Sequence, residues 1–109
     1  MEKTINIARD YSPILGGRWI RLGPHSGEDF YNTLLEKTYL EAFKKGEKLI
    51  IELDRTKGYP SSFLDQSFGE LARKYGVENV RKTLELRGTV FKWVIDYINK
   101  EIWDKTKQQ

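Results

Sequence analysis

The sequence predicts an α/β domain: a small sandwich with a mixed sheet of about four strands, an N-terminal hairpin and three main helices. Three observations predict it. Short Ile- and Leu-rich segments alternate with longer stretches whose apolar residues recur at helical spacing. Gly and Pro clusters separate the two kinds of segment. The order strand, strand, helix, strand, helix, strand, helix is that of helices laid on a sheet. A chain of 109 residues has room for one core, so residues 1–109 read as a single domain with 105–109 as a frayed polar tail.

Each element has its own reason. Thr4 to Ala8 alternates, with Ile5 and Ile7 on one side, and reads as a strand. Arg9 to Gly17 is a loop containing Pro13 and Gly16-Gly17. Arg18 to Leu22 alternates again, with Ile20 and Leu22 on one face, and is expected to pair with the first strand as an antiparallel hairpin. Gly23-Pro24-His25 breaks it. Ser26 then starts a helix, with Asp29 in the third position of a capping box. Phe30, Leu34, Leu35, Tyr39, Ala42 and Phe43 form its apolar face, and Lys44-Lys45-Gly46 ends it.

Leu49, Ile50, Ile51 and Leu53 are nearly continuous in apolarity, which predicts a central strand covered on both faces. The next helix is expected to cap on Ser62, with Leu64, Phe68, Leu71, Ala72 and Tyr75 as its buried stripe and Gly76 at its end. Val77 to Lys82 makes a further helical turn, and Thr83 to Arg87 a last strand. After Gly88 a long helix carries Phe91, Val94, Ile95, Ile98 and Ile102 on one face. Right-handed crossovers would then bring the helix starts at Ser26 and Ser62 to one edge of the sheet, where open α/β sheets bind their ligands and partners.

Composition excludes several kinds of chemistry. Cysteine is absent, which removes disulfides, thiolate catalysis and Cys-based zinc sites. His25 is the one histidine, too few for a multi-histidine metal site, so neither metal nor cofactor is expected. Nineteen Lys and Arg oppose 16 Asp and Glu in an interspersed pattern, so the net charge of +3 does not argue for nucleic acid. No apolar run approaches a membrane span, and the N-terminus lacks the core of a signal peptide; a cytoplasmic protein is the expectation.

The residues that carry chemistry gather around the two helix starts. Ser61 and Ser62 follow a strand ending in Asp54, and Ser62 reads either as a plain cap or as a regulatory serine. Gly69 stands mid-helix at a cost of about 1 kcal/mol relative to alanine. It shares a face with Ser62, Gln66 and Arg73, so a partner backbone or a neighbouring element of the chain requires it. Arg18, Arg21, His25, Ser26 and Gly27 have the composition of an anion site, although the spacing is neither a P-loop nor a dinucleotide fingerprint; ordinary turn and cap chemistry explains them too. His25, Asp54 and a serine are the types of a hydrolytic triad, but no nucleophile elbow surrounds either serine, and no catalytic residue is expected. Trp93 and Tyr97, four apart on the last helix, suit core packing or a patch for self-association as a homodimer.

As a set, Gly16-Gly17-Arg18, Gly23-Pro24-His25-Ser26-Gly27-Glu28-Asp29-Phe30, Leu53-Asp54, Ser61-Ser62-Phe63-Leu64-Asp65 and Phe68-Gly69 resemble the STAS-like domain family of unknown function, over Asn6 to Arg87. The resemblance implies a STAS-like fold. STAS domains proper include the anti-sigma factor antagonists, binding modules that engage ATPase-like protein kinases and are released by phosphorylation of a helix-start serine in an Asp-Ser-Ser-Gly motif. By that resemblance Asp54 is similar to the acid and Ser61-Ser62 to the serines. Arg55 to Pro60 separates the two, and Phe63 stands where the motif has glycine. The expected function is a non-catalytic regulatory module that docks an ATPase-like kinase or anti-sigma-type regulator. The expected docking edge holds Asp54, Tyr59, Ser61, Ser62, Phe63, Gln66 and Gly69. The alternative is a small nucleotide- or phosphate-binding domain that uses the helix starts at Ser26 and Ser62.

Overall fold

A computed structural model of the chain describes residues 2–106. Strands β1 (Lys3–Asn6), β2 (Leu49–Glu52) and β3 (Leu84–Arg87) form a sheet in the order β1-β2-β3, parallel throughout. Ile5 is in register with Ile51, and Ile51 with Leu86. The sheet therefore has three strands among the described residues, where about four in a mixed sheet were expected.

The missing strand is Arg18–Leu22. Its alternating Ile20 and Leu22 stay 49% and 69% exposed, and the segment closes into a tight turn over Ile20–Leu22. Its backbone serves the helix that follows instead. The amide of Gly27 donates to the Gly17 carbonyl at 2.8 Å, and that of Glu28 to the Arg18 carbonyl at 3.0 Å. A helix start needs such acceptors, and a hairpin strand would have turned them toward β1. The first strand pairs with β2 alone and gives way after Asn6 to a wide turn over Ile7–Tyr11.

Helix α1 spans residues 27–45, through Gly27–Phe30, Tyr31–Leu35 and Glu36–Lys45. Ser26 caps it as expected, its Oγ accepting the Asp29 amide at 3.0 Å, and Gly46 ends it at φ +66°. Helix α2 spans residues 61–75, through Ser61–Leu64, Asp65–Gly69 and Glu70–Tyr75. Its cap position is Pro60, and no side chain caps it, so the expected Ser62 cap is absent. The ring of Pro60 holds φ at −60°, and with ψ at 138° the residue takes the extended conformation of a cap position. Gly76, at φ +96°, leads into α3 (Val77–Thr83). Helix α4 spans residues 92–103, through Lys92–Tyr97 and Ile98–Trp103. The three long helices each widen for about one turn, over Tyr31–Leu35, Asp65–Gly69 and Ile98–Trp103.

Parallel strands in sequential order step across the sheet in one direction, so right-handed crossovers put their helices on the same face. The buried residues agree. Ile5, Leu49, Ile51 and Leu53 share one cluster with Phe30, Leu35 and Tyr39 of α1, Phe63, Phe68 and Leu71 of α2, and Val94, Ile98, Ile102 and Trp103 of α4. Ile50 is buried too but lies outside that cluster, on the reverse face between Thr4 and Glu85. β2 is central and buried on both faces, as its apolarity predicts, with the helix cluster on the face of Leu49 and Ile51. From the carboxyl end of the sheet α4 runs back along it, and Arg81 at the end of α3 donates to the Asn99 carbonyl and pairs with Asp104.

Candidate functional site

The loops of residues 7–26, 53–60 and 88–91 leave the carboxyl ends of the three strands and form one rim. The two helix starts meet there side by side, as the sequence predicts: Gly27 is buried, and a Cβ on it would lie 2.5 Å from the Phe63 carbonyl oxygen. A Cβ on Gly17 would lie 3.7 Å from Ser62 Oγ. Gly27 and Arg18 of the residues read as an anion group thus touch Phe63 and Gln66 of those read as a docking edge.

The two starts differ in what they leave free. At α1 the first amides are engaged by Gly17, Arg18 and the buried Ser26. Asp29, expected to complete a capping box, accepts instead from Tyr11 Oη at 2.5 Å. Burial, reinforced by that carboxylate, pushes the Tyr11 phenol well above its ordinary range. At α2, Ser61 is exposed and Ser62 half-buried, and neither hydroxyl bonds a described residue.

Asp54 is a fastener. Its carboxylate accepts the amides of Thr89, Val90 and Phe91 at 2.8, 3.0 and 3.2 Å, and so shapes the turn into α4. The Thr89 bond is the largest cause holding its carboxyl below the usual range, against the opposing effect of burial. Tyr59 is buried and donates to the Leu53 carbonyl at 2.6 Å; burial raises its phenol far above normal. Phe63 is fully buried and stacks on Phe30 at 5.5 Å. Tyr59 and Phe63 are therefore core, and not the open contacts the sequence suggested.

Arg18 donates to Asp65 at 2.6 Å and to Gln66 at 3.4 Å, and Arg73 reaches Asp65 from the other side at 3.2 Å. Burial pulls the Asp65 carboxyl up, but its bond from Arg18 and the charge of Arg73 outweigh that and keep it low. Gly69 lies beneath this bridge. A Cβ there would meet Arg73 Nη1 and Asp65 Oδ1 at 2.9 Å and Ile102 Cγ2 at 3.2 Å. Gly69 is buried beneath Arg73 and Asp65 of its own helix and against Ile102 of α4, so the chain itself occupies that face and no visiting backbone does. Trp103 of α4 fixes that contact by donating to the Phe68 carbonyl at 3.1 Å.

The hydrolytic types do not assemble. His25 is exposed at φ +56°, its Nδ1 is 3.4 Å from Ser12 Oγ, and its ring meets Tyr11 edge-on; both Asp54 oxygens face amides. Arg21 is exposed, with no side-chain partner among the described residues. No group of three metal-ligating side chains occurs among the described residues.

A family model matches residues 26–90, more than half of the chain, and describes a STAS-like domain of unknown function (DUF4325). The chain belongs to this family. The match takes in Ser26, Gly27, Asp54, Ser61, Ser62, Phe63, Gln66 and Gly69, and leaves Gly16-Gly17-Arg18, part of the resemblance read from the residues, outside it. Comparison with curated proteins and with solved structures gives no match. In the STAS-like domain no helix among the described residues is long and apolar enough to cross a membrane.

What the sequence reading missed is the apolar surface of the rim. Of the six exposed large apolar side chains among the described residues, Ile14, Ile20, Leu22 and Val90 lie in its loops and Trp93 in the first turn of α4. Ile14 carried a signal, being an apolar residue between Pro13 and Gly16 with no periodic partner. Trp93 and Trp103 are one heptad and three residues apart, and only Trp103 belongs to the core.

Proposed function

We propose that the STAS-like domain is a non-catalytic regulatory module that docks another protein on this rim, with Ser61 and Ser62 as its point of control. The observation that carries the reading is the gathering of exposed Ile14, Ile20, Leu22, Val90 and Trp93 at one edge, beside two serines whose hydroxyls have no structural task. On the family likeness, the partner class is an ATPase-like kinase or anti-sigma-type regulator. A phosphate on either serine adds charge at the start of a helix, where the dipole favours it, so docking can change while the fold persists.

The rival reading, a nucleotide or phosphate at the two helix starts, gains nothing from the Ser26 end, whose amides are already engaged. Capture from a native lysate with the tagged domain tests the proposal. The expected result is a protein whose recovery falls with Ser61→Glu or Ser62→Glu while the melting temperature stays unchanged. Equal recovery with wild type and both variants removes the serines, and equal recovery with Ile14→Asp and Trp93→Ala removes the rim.

A further inference from the structure

The formal charge of the chain is unevenly placed. The three rim loops, residues 7–26, 53–60 and 88–91, hold five Lys or Arg and two Asp, and the cations and acids of the rest are equal in number, so the whole net charge of +3 resides in the rim. Both acids are engaged: Asp10 by Arg9 and the Asn6 amide, Asp54 by three amides. Two of the cations, Arg9 and Arg18, are engaged by Asp10 and Asp65. Arg21, Arg55 and Lys57 remain, all exposed, together with Lys92 at the start of α4, and their side chains form no ion pair or hydrogen bond with a described residue.

One of these cations, Lys57, stands in the wall of a hollow of about 390 Å³ lined also by Ile14, Leu15, Gly58, Tyr59 and Pro60, and Arg55 lies two residues before it in the same loop. The Lys57 amide donates to the Pro13 carbonyl at 2.7 Å and ties its two walls together. Aromatic contacts tie its wall to the start of α4, since the Tyr59 ring meets half-buried Phe91 at 5.1 Å and Phe91 meets exposed Trp93 at 6.5 Å. A hollow with apolar walls and a cation without an ion pair in one of them, on a rim that carries the whole excess of positive charge, suits a ligand of opposite sign that has something apolar to bury.

We infer that this hollow takes an acidic segment of a partner protein, which inserts one large apolar side chain between Ile14 and Tyr59 and sets its carboxylates against Arg55, Lys57 and Lys92. The inference rests on the docking reading above and names the partner's chemistry. It also gives the serines a mechanism. Ser61 directly follows Pro60 of the hollow wall, so a phosphate there meets an acidic segment with like charge and expels it.

A displayed library of random dodecapeptides, selected on the tagged domain at physiological salt, tests this. The expected selection is rich in Asp and Glu around one Leu, Ile, Phe or Trp. Retention of the selected peptides should fall by about tenfold or more with Arg55→Glu/Lys57→Glu, with Ile14→Asp and with Ser61→Glu. All these positions are exposed, so unchanged melting temperatures separate lost binding from lost fold. Selection of neutral or basic peptides, or of none, overturns the inference, as does acidic binding that ignores the charge reversal. Two further results assign the surface elsewhere and overturn it: tighter retention of a single-stranded oligonucleotide through the same cations, or a dimer in sedimentation that Ile14→Asp dissolves. Lysate capture that depends on Ser62 without an acidic consensus sinks the inference alone; failure of both experiments sinks the docking reading with it.

Discussion

Gly27 abuts the backbone of Phe63 so closely that a Cβ on Gly27 would lie 2.5 Å from the Phe63 carbonyl oxygen. Backbone cannot move aside as a flexible side-chain tip can, so Gly27→Ala has to part the two helix starts. The expected loss is about 1–3 kcal/mol, the range for overpacking a filled site. Gly58 supplies the control, because a Cβ there meets nothing within 4 Å. Gly58→Ala is expected to leave the urea midpoint unchanged or to raise it slightly.

The two helix-start serines separate in the same assay. Ser26→Ala removes a cap bond and is expected to cost about 1 kcal/mol. Ser62→Ala removes no hydrogen bond and is expected to stay within about 0.5 kcal/mol of wild type. Equal losses would show that Ser62 caps its helix after all.

Gly69 reports on the seat of α4. Gly69→Ala asks the tips of Arg73 and Asp65 to shift and gains helix propensity, so little net change is expected. Gly69→Gln pushes on Ile102 and is expected to cost about 1–3 kcal/mol. Loosening of α4 frees Trp103 from the Phe68 carbonyl, and a red shift of tryptophan emission below the unfolding transition reads that directly.

Asp54 gives the fold an acid limb. Its folded carboxyl titrates below the ordinary range, first because of the Thr89 amide, whereas the unfolded chain titrates in that range. In the window between them the unfolded state binds more protons. The stabilisation is therefore complete above about pH 5 and is lost as the pH falls through the folded value. Asp54→Asn is expected to cost about 1 kcal/mol near neutrality. Denaturation at a series of pH values should show wild type and variant converging on acidification; a constant gap would deny the charge a part.

Periodicity and local capping made much of this fold legible. The Leu49–Leu53 run, the stripe from Leu64 to Tyr75 and the stops at Gly46 and Gly76 depend on residues close in sequence, and the structure has them where the pattern puts them. The exceptions share a cause. Arg18–Leu22 alternates as a strand does, but the demand for acceptors at Gly27 and Glu28 decided its shape. Gly69 faces away from the Leu64–Phe68–Leu71 stripe, and no helical wheel reveals that α4 covers that second face. Asp54 was legible as a special acid, yet its partners lie 35 to 37 residues further on.

β1 begins, and α4 finishes, at the amino edge of the sheet, where Lys3 meets Leu49 and where Arg81 holds Asp104. Both ends of the described chain thus face away from Ile14, Lys57 and Trp93. A tag, a tether or a neighbouring module attached at either end approaches from behind and leaves the opposite side unobstructed.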